Sequence, residues 1–166
     1  MVQHYIIQSE QGDEYKLRLT SENTWMLPED LCQLMKTKDI EVVDIELERS
    51  KGTNVTSSKV LSLIEGCIAD YMLNHRNVLF CFFCDFIHTV PTRKNIPVQE
   101  YRSRLFSAMF NSYVTQHHLE GFCNHVVKIE GVAETFYFHV IYRDEHEAYA
   151  RMISEVNQKD FSKPKE

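Results

Sequence analysis

Residues 78–84 read VLFCFFC, seven apolar residues in a row between two segments with helical spacing. A continuous apolar run of this length is typical of a strand buried on both faces, because a strand with one wet face alternates apolar and polar residues. We therefore predict an interior strand at Val78–Cys84. Apolar residues recur at helical spacing on either side of it, which predicts long helices at Lys59–His75 and at Pro97–Leu119.

The segments further out predict the rest of a sheet. They are rich in β-forming residues, alternate in polarity and are joined by turn residues, apart from two short helical patterns. The predicted strands are His4–Ser9, Glu14–Thr20, Ile40–Glu48, Asn124–Glu130 and Thr135–Tyr142, and the predicted shorter helices are Pro28–Met35 and Glu145–Asn157. The expected fold class is α+β, with a single mixed, mostly antiparallel sheet of about six strands, two long helices and a C-terminal helix. The expected order is ββαβ-α-β-α-ββ-α.

Length and composition indicate one domain. The chain has 166 residues and no shift in composition, so we expect a single α+β domain over residues 1–158 and a frayed tail over 159–166. No apolar run approaches the ~20 residues that span a bilayer, and the first residues lack the pattern of a signal peptide. Five cysteines, an odd number, suit free thiols. We therefore expect a cytoplasmic protein without membrane association.

Net charge disfavours one class of partner. The chain carries a net charge of −6, whereas general nucleic-acid binding needs basic residues that neutralise phosphates. Residues 58–121 are the exception, with five acidic and six basic residues, which allows a local basic pocket. We expect no general nucleic-acid binding.

Two segments carry a family resemblance. NVLFCFFCD (77–85), followed by YRSRLFSAMFNSY (101–113), resembles an uncharacterised family of small bacterial proteins found mainly in the Bacteroides group. Its members share an apolar strand that ends in Cys-Asp, here Cys84-Asp85, and a helix bearing Arg-x-x-Leu-Phe, here residues 102–106. This chain departs from the pattern in its longer connection, FIHTVPTRKNIP (86–97). Because the family has no assigned activity, the resemblance implies a common fold and a bacterial origin, and no chemistry.

Cysteine and histidine patterns offer little chemistry. Cys81 and Cys84 lie three apart within a predicted strand, which places their side chains on opposite faces, so we prefer two core thiols over a redox or zinc site. His125 and His139 could approach Cys123 across the last hairpin, but isolated histidines of this kind are more often packed residues than metal ligands. Glycine-rich nucleotide loops and hydrolase elbows are absent from the sequence. We expect no cofactor and no metal.

An acidic stripe has an ordinary explanation. Asp44, Glu46 and Glu48 alternate along one predicted strand and could serve as ligands for a divalent cation only with help from a third element. Lys16 and Arg18 occupy the wet face of the neighbouring strand. We prefer a solvated face on which these charges pair across strands.

One polar cluster follows the end of the predicted interior strand, where open α/β sheets usually bind ligands. It combines an acid, a titratable histidine and several basic groups, which together suit an anionic small molecule or a phosphate. The candidate ligand-binding residues are Asp85, His88, Arg93, Lys94, Arg102 and Arg104. The alternative is a structural ion pair between Asp85 and one of the two helix arginines, and we expect that pairing to prevail.

Three classes of function remain, in this order. The first is a non-enzymatic protein-interaction or regulatory module that acts through a sheet edge or an aromatic patch, with a protein partner or itself as a homodimer. The second is a small-molecule or nucleotide sensor that uses the Asp85/Arg102 region, and the third is a small hydrolase or nuclease. The C-terminal region is rich in aromatic residues, which predicts an interface there. Its candidate residues are Phe136, Tyr137, Phe138, Tyr142 and Tyr149.

Overall fold

A computed structural model describes residues 2–21, 27–54, 56–84, 97–131 and 134–162, except for the side chains of residue 84 and residues 157–162. The strands are β1 (Val2–Gln8), β2 (Glu14–Thr20), β3 (Glu41–Lys51), β4 (Val78–Cys84), β5 (Phe122–Glu130) and β6 (Thr135–Arg143). The helices are α1 (Glu29–Thr37), α2 (Ser58–Asn74), α3 (Val98–Gln116) and α4 (Glu147–Ser162), with one turn of 3-10 helix at Asp144–His146.

All six strands form one sheet in the order β1-β2-β3-β4-β6-β5. β3 and β4 pair in parallel, because α2 connects them, and the other four pairings are antiparallel. The prediction of a mixed, mostly antiparallel α+β sheet is confirmed, and so is the predicted order of elements. β4 lies in the interior of the sheet, as its apolar sequence predicts.

Both faces of β4 are buried, which accounts for the run VLFCFFC. Val78, Phe80 and Phe82 belong to the core on one face, here called the front face, while Leu79 and Cys81 belong to the core on the back face. None of these five side chains is more than 5% exposed. A polar residue at any of these five positions would therefore need a buried hydrogen-bond partner.

Helices cover the two faces unequally. α2 and α3 pack on the front face, and Ser57 caps the start of α2 with a side chain that accepts a hydrogen bond from the Val60 backbone N–H. α1 and α4 pack on the back face, over a core that contains no side chain from β1 or β2. The back face of these two strands is therefore left to polar and exposed residues.

No helix in the described part of the chain is long and apolar enough to cross a membrane.

Three element ends differ from their predicted positions by three or more residues. β3 continues to Lys51 because its last residues still pair with β2. α3 ends at Gln116, before the predicted Leu119, since His118 takes a left-handed backbone conformation with φ of 51° that a helix cannot contain. α4 continues to Ser162, so the predicted frayed tail is helical over its first four residues.

Candidate functional site

The predicted anion cluster is described only in part. Asp85, His88, Arg93 and Lys94 lie outside the described residues, so the Asp85 pairing and the anion site both stay predictions. The two helix arginines occupy different environments. Arg102 is 5% exposed, and its guanidinium carbon lies 5.6 Å from the centre of the Phe82 ring, a distance that suits a cation–π contact.

Arg104 points elsewhere. Its side chain is 64% exposed and its Nη2 donates to Glu100, one helical turn earlier, over 2.6 Å. This is an ordinary surface pair between residues four apart on a helix. The structure therefore does not bring Arg102 and Arg104 into one site, although the sequence treats them as equivalent members of a cluster.

Arg102 does line a groove, which we call the sheet-face groove. It has a volume of about 490 Å³ and lies mainly on the back face of β1 to β4. Its charged and titratable lining comprises His4, Lys16, Arg18, Asp44, Glu46, Glu48 and Arg102, beside the apolar Phe83 and Phe138. Basic and acidic groups therefore face the same space, which weakens its attraction for any simple anion.

At the exposed end of the acidic stripe, Glu46 and Glu48 face basic residues of β2. Arg18 lies opposite Glu46 and Lys16 lies opposite Glu48 across the β2–β3 ladder. Arg18 Nη1 and a Glu46 carboxylate oxygen are 3.7 Å apart, and both side chains are about half exposed. The prediction of a solvated, paired face is confirmed for Arg18 and Glu46. Lys16 and Glu48 lie opposite each other and are both exposed.

Asp44 is the exception within that stripe. It lies beside the buried Cys81 of β4, and its Oδ2 atom is buried without a hydrogen-bond partner among the residues that the structure describes. Burial, with a smaller contribution from the charge of Glu46, raises the pKa of Asp44 to about 7. A carboxyl group with this pKa can exchange a proton near neutral pH.

The sheet geometry tests the hypotheses about the cysteines and histidines. Burial raises the pKa of the Cys81 thiol well above its usual range, so Cys81 is a poor nucleophile. His125 lies opposite Val140, whereas His139 lies opposite Val126, which places the two histidines on opposite faces of the sheet. Cys123 Sγ is within 3.2 Å of Asp144 and shares the back face with His125. The three candidate metal ligands therefore do not converge.

His139 instead forms a chain of buried and partly buried hydrogen bonds that the sequence analysis missed. Its Nε2 lies 2.8 Å from Ser103 Oγ on α3, and its Nδ1 lies 3.0 Å from Asn124 Oδ1 on β5. The amide oxygen can only accept, so Nδ1 donates to it and Nε2 accepts from the serine hydroxyl. Asn124 in turn donates to Ser107 over 3.4 Å.

This chain has the connectivity of a serine nucleophile, its base and an orienting group. Its environment does not suit that chemistry. His139 is 0% exposed and Ser103 is 4% exposed, while the Phe106 ring packs edge-on against the imidazole. Burial also lowers the pKa of His139 to about 4, which makes it a weak base. We conclude that these hydrogen bonds join α3 to the β5–β6 hairpin and satisfy the buried polar groups of His139 and Ser103.

The predicted aromatic interface is only partly accessible. Phe138 is fully buried in the back-face core and Tyr142 is 9% exposed. Phe136, Tyr137 and Tyr149 are half-buried, and Phe136 stacks on Phe83 with 5.6 Å between ring centres. The chain packs most of this aromatic surface against itself, and the C-terminal interface stays a prediction.

A different surface exposes apolar residues on an edge strand. β1 is one edge of the sheet, and within the described residues it pairs only with β2. Its seven residues, VQHYIIQ, contain no proline and no Lys, Arg, Asp or Glu. Ile6 is 64% exposed and Val2 is 39% exposed, both on the back face beside the sheet-face groove.

Sequence patterns could have located part of the β1 edge, but not the contact between Ser103 and His139. The alternation of β1 identifies exposed positions, but which strands lie at the edges depends on the sheet order. Likewise, Ser103 and His139 are distant in sequence and become neighbours only through tertiary packing.

A comparison with models of known protein families found no match, and a comparison with curated proteins found none either.

Proposed function

We propose that this protein is a non-enzymatic interaction module that docks a partner strand along the free edge of β1, and that the first occupant of this edge is a second copy of the chain. The observation that carries the proposal is the unprotected edge itself. Sheet proteins usually blunt such edges with charged residues, proline or bulges, because the unpaired backbone groups template further pairing. β1 has none of these residues, while β5 at the opposite edge carries Lys128 and Glu130.

The chemistry of β1 favours a second copy. Antiparallel pairing of two β1 strands around a two-fold axis would set no Lys, Arg, Asp or Glu of one strand opposite its copy in any register. Ile6 and Val2 would then lose exposed apolar area on both copies. The short strand implies a small interface, and small interfaces give weak, concentration-dependent complexes.

The experiment measures molar mass by light scattering across low to high micromolar concentration. We expect the wild-type mass to rise toward that of a dimer. Ile6→Lys should keep the protein monomeric because it places a charge on the edge strand without touching the core. Val126→Lys is the matched control, since Val126 is an exposed apolar residue (40%) on the opposite edge strand. If Ile6→Lys associates like the wild type, the proposal is wrong.

A second candidate function is the binding of a small anion in the sheet-face groove. The specific observation is Arg102, which is buried and lines that groove with Arg18 and Lys16. Glu46 and Glu48 oppose it, so we rank this function below docking at β1. A phosphate-dependent rise in melting temperature that Arg102→Ala abolishes would reverse the ranking.

A further inference from the structure

An apolar slot lies between α2 and α3 on the front face, away from β1. Its floor is formed by Phe122 and Ile141. Its walls comprise Ile68, Met72 and Leu73 from α2 and Phe106, Phe110 and Tyr113 from α3. Slots lined in this way by two helices and a sheet are common positions for small-molecule binding.

α3 leaves this slot open because of the way it attaches to the sheet. The buried residues of α3 are Gln99, Arg102 and Ser103, all polar and all in its first two turns. The apolar residues that follow, Phe106 and Phe110 among them, are only half-buried. Protein interiors normally close around side chains of this size. The second half of α3 therefore borders the slot without filling it.

Glu65 is the one charged residue among the described residues that line the slot. Its Oε1 atom is buried and has no hydrogen-bond partner within the described parts of the chain. Burial raises the pKa of this carboxyl group to about 7, since removal of water disfavours the charged form. A buried acceptor without a donor is costly, so a donor or cation bound beside Glu65 would be stabilised.

The two ends of the slot differ in chemistry, with a carboxyl group at one end and an apolar side chain at the other. Glu65 lies at one end of its α2 wall and Leu73 at the other, eight residues further along the helix. At about 1.5 Å of rise per residue, the two ends are about 12 Å apart. An extended alkyl chain advances about 1.3 Å per carbon, given C–C bonds of about 1.5 Å, so about eight carbons span this length.

We propose that the slot binds a small amphiphile with a single linear apolar chain and a protonated amine head, the amine donating to Glu65 and the chain lying between α2 and α3 toward Leu73. Charge complementarity selects this occupant. A carboxylate at the end of an apolar slot attracts a cationic head and repels an anionic one, while the walls accept only an apolar chain.

The test uses n-octylamine, protonated at neutral pH, with octan-1-ol and octanoate as probes of the same chain length. Calorimetric titration should give saturable binding of octylamine, at least about tenfold tighter than octan-1-ol, because a charge-assisted hydrogen bond is worth roughly that factor. Octanoate should bind more weakly than either. Amide chemical shifts should change along α2 and α3.

Two variants locate the site. Glu65→Gln should lower octylamine affinity about tenfold and leave octan-1-ol affinity unchanged, since it removes the charge and keeps the shape. Ala69→Met should abolish binding of both probes by filling the slot, which Ala69 lines. Ile6→Lys should leave binding intact, because the slot does not depend on docking at β1.

Three outcomes would overturn the proposal. They are equal affinity for octylamine and octanoate, an unchanged octylamine affinity in Glu65→Gln, and the lack of saturable binding by any probe. If no probe binds and Ala69→Met weakens self-association instead, the slot is an interface between copies of the chain and not a ligand site.

Discussion

At the residue scale, the fold depends on a few polar side chains placed where their hydrogen bonds can be satisfied. His139 is the clearest of them, because it is fully buried and still makes one hydrogen bond through each ring nitrogen. Neutral imidazole fits this arrangement, since one nitrogen donates and the other accepts. Protonation would disrupt it.

His139 therefore predicts a specific pH dependence of stability. Its pKa is about 4 in the folded protein and about 6.5 when unfolded, so the stability it contributes is present above pH 6.5 and is lost as the pH falls toward 4. The loss should reach about 3 kcal/mol. Urea unfolding of wild type and His139→Gln from pH 7.5 to 4 measures it. We expect the difference between the two proteins to shrink with acidification, and a constant difference would contradict the assignment.

Ser103 tests whether the buried chain is structural or catalytic. Ser103→Ala should lower the free energy of unfolding by about 1–3 kcal/mol, because His139 Nε2 would lose its partner in a dry site. Ser107→Ala is the control, since its contact with Asn124 is long at 3.4 Å, and it should cost clearly less. A fluorophosphonate probe should not label Ser103 in the native protein. Labelling of Ser103 would restore the hydrolase hypothesis.

The two helix arginines should also separate in experiment. Arg104→Ala should cost only about 0.3–0.5 kcal/mol, as expected for an exposed pair four residues apart on a helix. Arg102→Ala should cost several times more, because it removes a buried side chain and its contact with the Phe82 ring. Chemical denaturation of both variants checks this. Equal effects would mean that Arg102 contributes nothing by its burial.

At the element scale, two glycines should respond oppositely to substitution by alanine. One lies in a loop where a side chain does not fit, and the other lies in a helix where it does. Gly52 has φ of 92°, and a Cβ there would lie 1.6 Å from Asp13 Oδ1 and 2.9 Å from Asp13 Cα. Gly52→Ala should therefore destabilise the protein by more than 1 kcal/mol. Gly66 lies within α2 with open space around it, so Gly66→Ala should stabilise by up to about 1 kcal/mol. Melting temperatures of the two variants should move in opposite directions.

The elements were largely predictable from sequence, because their periodicity reflects burial directly. The run at 78–84 identifies an interior strand, and the spacing in α2 identifies an amphipathic helix. Asp44 was less predictable, since the alternation of β3 makes it look like Glu46. It lies opposite Cys81 in the parallel pairing with β4, a position inside the sheet that no local pattern encodes.

At the scale of the whole molecule, uneven helix coverage determines which surfaces stay available. α1 and α4 cover the β4–β6–β5 half of the back face more than the β1–β2 half, so the apolar residues of β1 remain exposed at the edge. On the front face, the polar attachment of α3 leaves the slot beside Glu65 open. One surface suits an added strand and the other suits a narrow amphiphile.

The most direct test of the central claim, docking at the β1 edge, is hydrogen–deuterium exchange as a function of protein concentration. In the isolated chain the outer backbone amides of β1 have no strand partner among the described residues, so they should exchange fast. We predict that exchange across residues 2–8 slows as the concentration rises to high micromolar, while exchange across β5 at residues 122–130 stays constant. Unchanged exchange at residues 2–8 in a sample whose mass has doubled would contradict the claim.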